Sequence, residues 1–427
     1  MYGTSIKADL PSILMPKLTR KKILLTFLLA MLFGGLSLVD VGEPWGDPNP
    51  LMLKLRYALV GISLISLLLI SFWNQQSFKS CSFDAKALPL LSIWILFSLV
   101  SVFSGLVNND SVSVREGFWF LYAIPVIWLF VIPNLIKDNA NFLIANSLFL
   151  GNLPYLITSL FLDKPNKFQY LGVFRNPNQM GLVCASLTAG ILVVLAGIFS
   201  ANKKTSNTAI FIALLILVLA IVMLSSSRTS ILACICMLLI FFSKSLRYFK
   251  DLLKIFFITI AIISVFSFYQ SERLKFILSV ISAGILSKIG GSAGVFSGRE
   301  YIWQKTIEDM NLLGNSSNYF EFNFSFSAHN TVIHILGVNG IIAMELIVLF
   351  AIASFFYTYR YFRIYGQKDS FAMAPLILTT CFWILSMGEM MFGSLGKSIT
   401  FAYLLSVGVV MTKPRVTGKT KLKTLAK

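Results

Sequence analysis

Residues 331–358 read TVIHILGVNGIIAMELIVLFAIASFFYT, with a single carboxylate, Glu345, in the whole stretch. A helix needs about 20 consecutive apolar residues to cross the hydrocarbon core of a bilayer, where every backbone N–H and C=O must be bonded within the segment. This stretch exceeds that length, so it predicts a membrane-spanning helix. The segment before it is of the opposite kind. From Ser297-Gly298-Arg299-Glu300 to Ser327-Ala328-His329-Asn330 the chain is polar, framed by Arg299 and His329, with an amphipathic run through Trp303 and Ile307. A protein that is otherwise apolar is expected to do its chemistry at such an excursion.

Working outward by the same rule gives about twelve spans, near residues 23–40, 57–73, 88–107, 117–135, 141–162, 179–199, 208–224, 229–243, 254–270, 331–358, 371–388 and 397–412. Asn152 and Pro154 interrupt the fifth, and the eighth is short. Hydrophobic residues make up 56% of the 427-residue chain and the mean hydropathy is +0.79, which excludes an ordinary soluble domain. The predicted fold is all-α: one integral membrane domain over residues 1–427, with one longer exported loop, 271–328. Within that loop, residues 274–288 suit a helix lying at the membrane interface. Gly290, Gly291, Gly294 and Gly298 make a connector. A second short helix follows, with Ile302, Trp303, Ile307 and Met310 expected on one face.

The net charge of +18 from 36 basic and 18 acidic residues needs no nucleic acid to explain it. Most basic residues, among them Lys17, Arg20, Lys21, Lys22, Lys203, Lys204, Lys244, Arg247 and Lys250, fall on the side that also carries both termini. By the positive-inside rule that side is cytoplasmic. An even span count agrees with two inside termini. The N-terminal apolar run is too long for a cleaved leader and lacks a small-residue cleavage site, so it is expected to stay as the first span. Basic residues on the opposite side, including Arg175, Arg228 and Arg299, are not explained by topology.

Arg228 closes the turn Ser225-Ser226-Ser227-Arg228 between two spans. It reads as a snorkelling interface side chain or as an anion ligand beside serine hydroxyls; arginine at membrane depth is costly and usually paired, which favours the second. Arg175 precedes Asn176-Pro177-Asn178. That tripeptide reads equally as a helix entry and as a polar site for sugar hydroxyls. Arg299 near a helix start suits phosphate, which its fork grips with two parallel hydrogen bonds; taken alone it reads as a loop residue paired with Glu300 or Glu308. His329 is a candidate general base or simply a helix cap. His334, just inside the next span, reads as packing. Glu345, well inside a span, and Glu389, near the exported end of another, are functional candidates, each expected to pair with Arg228 or merely with a neighbouring hydroxyl. Two histidines without clustered carboxylates or cysteines make no metal site, and Cys234-x-Cys236 points to different sides of a helix. Gly418-Lys419-Thr420 lacks the upstream glycine of a phosphate loop.

In chain order, GVFRNPNQMG (172–181), SSSRTS (225–230), SGREYIW (297–303) and HNTVIHILGVNGIIA (329–343) resemble the O-antigen ligase and O-antigen polymerase superfamily of bacterial membrane glycosyltransferases. The resemblance covers roughly residues 170–345 and the many-span layout. It implies a substrate, an oligosaccharide linked to undecaprenyl diphosphate, presented at the periplasmic face of the bacterial cytoplasmic (inner) membrane. It implies that Arg299 and Arg228 hold the diphosphate, that His329 activates the acceptor hydroxyl, and that Arg175, Asn176, Asn178 and Asn330 contact the substrate. The implied course is direct inversion without metal or cofactor. A polymerase of lipid-linked repeats is favoured, because the exported loop is modest and aromatic. The alternative is a ligase that transfers the glycan to lipid A core; a flippase or transporter ranks lower, since no repeated halves are visible. The implied partners are the lipid-linked oligosaccharide, membrane lipid and a chain-length regulator, with no nucleic acid.

Overall fold

A computed structural model describes residues 19–74, 81–163, 169–200, 206–244, 299–393 and 396–414. The helices in chain order are α1 (Arg20–Ser37), α2 (Pro50–Trp73), α3 (Leu88–Val107), α4 (Ser111–Ile136), α5 (Ala140–Leu162), α6 (Pro177–Ser200), α7 (Ser206–Ser225), α8 (Arg228–Lys244), α9 (Arg299–Glu308), α10 (Tyr319–Phe324), α11 (Thr331–Tyr365), α12 (Ala374–Ser386) and α13 (Ser398–Met411). Eight of them are long and apolar enough to cross a membrane: α1 to α7 and α11. Shorter apolar helices occupy the regions of α8, α12 and α13. The chain is thus an all-α, multi-span membrane protein. Eleven of the twelve expected spans coincide with one of these helices, and the expected span at 254–270 lies outside the described residues. So do the expected interfacial helix at 274–288 and the glycine connector. Two three-residue strands, Cys81–Phe83 and Thr412–Pro414, pair antiparallel.

Local chemistry starts the helices. Asn49 accepts the Leu51 N–H ahead of Pro50, Asp110 accepts that of Val112, and Asn330 accepts those of Val332 and Ile333. Each side chain satisfies an N–H that the first helical turn leaves without a partner. Helix α6 is the centre of the bundle, with 94% of its apolar window buried, and it packs on α5, α7, α8 and α12. Helices α2 and α7 leave most of their apolar surface outward, as spans in contact with lipid do.

The helix ends sort into two groups. At one end, Lys21 pairs with Asp138 at 2.6 Å, Asn141 donates to the Tyr361 hydroxyl, and the two short strands meet. At the other, Ser104 and Asn108 at the end of α3 bond the carbonyls of Leu313 and Gly314, and Asp40 after α1 meets Lys397 before α13. Helices α9 and α10 cap this second end.

Helix α11 is broken at Gly340, where φ is +89°. Only glycine takes that conformation without strain, and a Cβ there would also strike Leu312 and Gly314. The break is filled by residues 311–315: Ile341 N–H bonds Asn311 O at 3.0 Å, and Asn315 N–H bonds Gly337 O at 2.9 Å. The loop thereby satisfies backbone groups that the break exposes.

The face of α9 differs from the expected one. Ile302 and Thr306, one turn apart, are buried, and Trp303 Nε1 donates to Ala328 O at 2.9 Å. Ile307 and Met310 point outward, 48% and 50% exposed. The helix meets α11 along the Ile302–Thr306 edge, which is a narrower stripe than the four apolar residues suggest.

Candidate functional site

The capped end gathers the motifs that lie far apart in sequence. Helix α8 starts at Arg228, and the serine turn before it lies on Gly181 of α6. A Cβ on Gly181 would stand 2.5 Å from Ser227 Cβ and 2.8 Å from Ser230 Oγ, so any larger residue would push the turn away. Ser227 and Ser230 hydroxyls bond each other at 2.8 Å. Thr229 packs in the same way against Gly388, in the segment after α12. Those two seats bring Arg228 beside the 387–391 segment, where Arg299 also arrives: its Nη1 donates to Gly388 O at 3.1 Å.

Glu389 is the hub. Its Oε1 accepts from Asn178 Nδ2 at 2.8 Å, and its Oε2 lies 3.4 Å from His329 Nδ1. Thr331 holds the local backbone by donating to Glu389 O and accepting from Met391 N–H. Burial pushes the Glu389 carboxyl up, but the His329 hydrogen bond and the charges of His329, Arg299 and Lys397 outweigh it. The group ends below the usual carboxylate range. Burial lowers Arg299 from its ordinary value; Glu389 opposes that shift and Arg228 adds to it. Arg228 and Arg299 thus lie close enough to repel each other electrostatically, and Glu389 lies close enough to attract Arg299. His329 itself has φ +48°, a left-handed conformation that is uncommon outside glycine and that histidine tolerates better than most residues. It sits just before the Asn330 cap, so the strained residue and the cap fix the imidazole over Glu389.

A second ionic cluster adjoins the first. Lys397 Nζ lies 2.7 Å from Asp40 Oδ2, and Asp40 is only 4% exposed. Gln179 Nε2 donates to Asp40 Oδ1 at 2.8 Å. Asn178 and Gln179, neighbours in the first turn of α6, therefore tie Glu389 and Asp40 to one helix start.

Of the residues expected from the sequence, the structure brings together His329, Arg299, Arg228 and Asn178. Asn330 is adjacent but occupied: its Oδ1 caps α11 and its Nδ2 donates to Met387 O at 3.3 Å. Asn176 accepts the Gln179 N–H at 3.2 Å, which is the helix-entry role. Arg175 turns to the loop after α1, with its Nε on Gly46 O and its backbone N–H on Asp40 O. His334 stacks on Phe320, ring centroids 5.2 Å apart, as the packing role requires. Glu345 lies exposed on α11, away from the cluster. For Glu389 the sequence offers Arg228 or a neighbouring hydroxyl as partner, whereas its side chain meets Asn178 and His329; Gln179, Asp40 and Lys397 were missed. The available signal was opposite charge at the ends of two spans, which says nothing about which ends meet. Among the described residues no group of three or more histidine, cysteine or carboxylate side chains is arranged to hold a metal ion.

Neither a family model nor a curated protein matches the chain. The fold and the cluster define it as a polytopic membrane protein with a carboxylate–imidazole pair and two arginines at one end of its helix bundle.

Proposed function

We propose that the chain is a bacterial membrane glycosyltransferase that polymerises lipid-linked oligosaccharide repeats. The glycan moves from undecaprenyl diphosphate to a sugar hydroxyl of the next repeat. The observation that carries the reading is the convergence of His329, Glu389, Arg299 and Arg228. Each has a task in displacing a diphosphate. Glu389 orients the imidazole through Nδ1 and stabilises the imidazolium that forms. Nε2, on the opposite edge of the ring, is left to take the acceptor proton. The acceptor oxygen attacks the anomeric carbon as its proton passes to His329. The bond from that carbon to the diphosphate oxygen breaks, and the electron pair leaves with the diphosphate. Arg299 and Arg228 offset the charge that develops there. One displacement inverts the anomeric centre, and no covalent glycosyl-enzyme is formed. Asn178 acts through Glu389 rather than on the sugar.

In this reading the arginine end of the bundle faces the periplasm, the opposite end with its lysines and both described termini faces the cytoplasm, and the protein resides in the inner membrane. The gathering of ionisable groups at one end, instead of at midplane, favours an enzyme over a transporter. The deciding experiment compares surface glycan and lipid-carrier glycan in a strain lacking the gene. Single-repeat glycan on the normal anchor supports the polymerase. Long polymer stranded on the carrier would instead assign a ligase to lipid A core, and unchanged glycan would remove the reading.

A further inference from the structure

Helix α11 outruns the membrane at the end remote from the candidate site. From the break at Gly340 it continues to Tyr365, and at about 1.5 Å per residue that length exceeds the roughly 30 Å hydrocarbon core. Its last turns carry Tyr357, Tyr359, Tyr361 and Tyr365 together with Arg360 and Arg363, the composition of a membrane–water interface. Tyr357, Arg360, Tyr361 and Tyr365 line one side of a cavity of about 230 Å³. The other side is built from distant parts of the chain: Asp84 ahead of α3, Ile136 at the end of α4, and Val409 and Val410 near the end of α13. Hydrogen bonds hold these walls in place. The Tyr357 hydroxyl donates to Lys86 O at 2.6 Å, and the Asp84 N–H donates to Met411 O at 2.8 Å. The Tyr361 hydroxyl accepts from Asn141 Nδ2 at 3.1 Å, and the Tyr361 and Tyr365 rings lie 4.8 Å apart.

The cavity offers a ligand mainly hydrogen-bond donors. Among the described residues the Arg360 guanidinium makes no hydrogen bond or ion pair, and the Tyr365 hydroxyl makes no hydrogen bond. The one carboxylate in the lining, Asp84, accepts the Lys86 N–H at 3.2 Å as a helix cap. Lys86 and Lys137, both exposed and close in sequence to lining residues, keep the surroundings positive. A guanidinium fork with a phenol beside it suits a phosphate. Snorkelling alone accounts for an arginine at this depth, but not for a concave seat assembled from several parts of the chain. The cavity is smaller than the about 300–1,000 Å³ of a complete small-molecule site, so it fits one end of a larger molecule. At the membrane interface, with Ile136, Val409 and Val410 as an apolar wall, that molecule is a phospholipid: its phosphate meets the donors and its first chain carbons meet the wall. Basic pockets between spans at this level take anionic lipid heads.

We propose that this cavity seats the phosphate head of an anionic glycerophospholipid of the bilayer, with Arg360 and Tyr365 as its ligands. The site lies at the opposite end of the bundle from Glu389 and is independent of the reaction proposed there. Its lipid is a resident of the membrane and not a reactant. Because the lining comes from the ends of α4, α11 and α13 together, a bound head joins those ends and stabilises the folded bundle.

The test uses full-length protein purified in detergent and native mass spectrometry with phosphatidylglycerol, phosphatidylethanolamine and soluble glycerol 3-phosphate. Arg360→Gln removes the anion ligand. Arg363→Gln removes the same charge one turn further on, where the guanidinium lies over the Tyr359 ring and outside the cavity. Both arginines are exposed, so neither replacement disturbs packing. The expected result is phosphatidylglycerol bound alike by the parent and Arg363→Gln, and about tenfold more weakly by Arg360→Gln. Added phosphatidylglycerol should raise the melting temperature of the parent and of Arg363→Gln, and that of Arg360→Gln much less. Parent-like binding by Arg360→Gln would overturn the proposal. Equal losses in the two variants would do so as well, by reducing Arg360 to general interface charge. Equally tight phosphatidylethanolamine would overturn the choice of an anionic head, and displacement of the lipid by an equal concentration of glycerol 3-phosphate would assign the cavity to a soluble phosphate ester instead.

Discussion

Glu389 shares its two oxygens between Asn178 and His329, so removing its charge disturbs both neighbours at once. His329→Ala should lower glycan transfer by about 10²- to 10⁴-fold, the usual contribution of a positioned base. The protein should still accumulate in the membrane, because His329 lies at a loop-to-helix junction. Glu389→Gln keeps the shape and should cost less, since the imidazole remains and only its charged partner is gone. Purified variants assayed with lipid-linked repeat check both; equal rates for parent and His329→Ala would exclude the base role. Asp40 and Lys397 predict a different signature. Breaking a buried ion pair at one member leaves an uncompensated charge and costs about 3–5 kcal/mol. Asp40→Asn should therefore lower the melting temperature, and Asp40→Asn with Lys397→Met should recover much of the loss. The two carboxylates show why the site was only half legible. Arg299, Arg228 and His329 stand out in the sequence because they are isolated polar residues within or beside apolar runs. Asp40 and Lys397, 357 positions apart, become a pair only through packing, and no local pattern carries that information.

Among the elements, the anchoring of the 309–319 loop matters most. Asp110, at the turn from α3 to α4, accepts from Ser113 Oγ, from Ser317 Oγ and from the Ser317 N–H. Burial raises this carboxyl, but the hydrogen bonds from Ser113 and Ser317 outweigh it and leave it below its usual value. Glu389 is depressed as well. A depressed carboxyl contributes stability that is present above its unfolded value and lost as the pH falls through its folded value. Melting temperature should therefore drop on acidification below the ordinary carboxylate range, and Asp110→Asn should flatten part of that dependence. Thermal melts of parent and variant across pH 3 to 7 measure it; a parent-like slope in Asp110→Asn would show that the latch contributes nothing. The short helix expected after Ser297-Gly298 was legible from its start and is observed at Arg299–Glu308, yet its buried edge was not. Hydrophobic spacing identifies an amphipathic helix, but the choice between Ile302–Thr306 and Ile307–Met310 depends on where α11 lies.

For the whole molecule, the spans were the most legible feature. Hydropathy adds up over a window and needs no knowledge of neighbours, which is why eleven expected spans coincide with described helices. The orientation makes a direct prediction. Leu312, 64% exposed at the capped end, should react as Leu312→Cys with a membrane-impermeant maleimide in cells whose outer layers have been opened. Lys368, at the opposite end, should react as Lys368→Cys only after lysis. Reversed labelling would invert the proposed topology and put the cluster on the cytoplasmic side.

The Asp40–Lys397 pair has a further consequence for biogenesis. The chain is made from its N-terminus, so Asp40 is synthesised long before its partner. Through the making of α2 to α12 its carboxylate gains the nearby charge of Arg56 and the Gln179 amide, but not the ammonium that contacts it directly. The ribosome must deliver residue 397 before the direct ion pair forms and before α13 is pinned against α1. Maturation of the site is thus a terminal event of synthesis: a ribosome stalled within α12 would leave a nascent chain that has His329 but neither Glu389 nor Lys397.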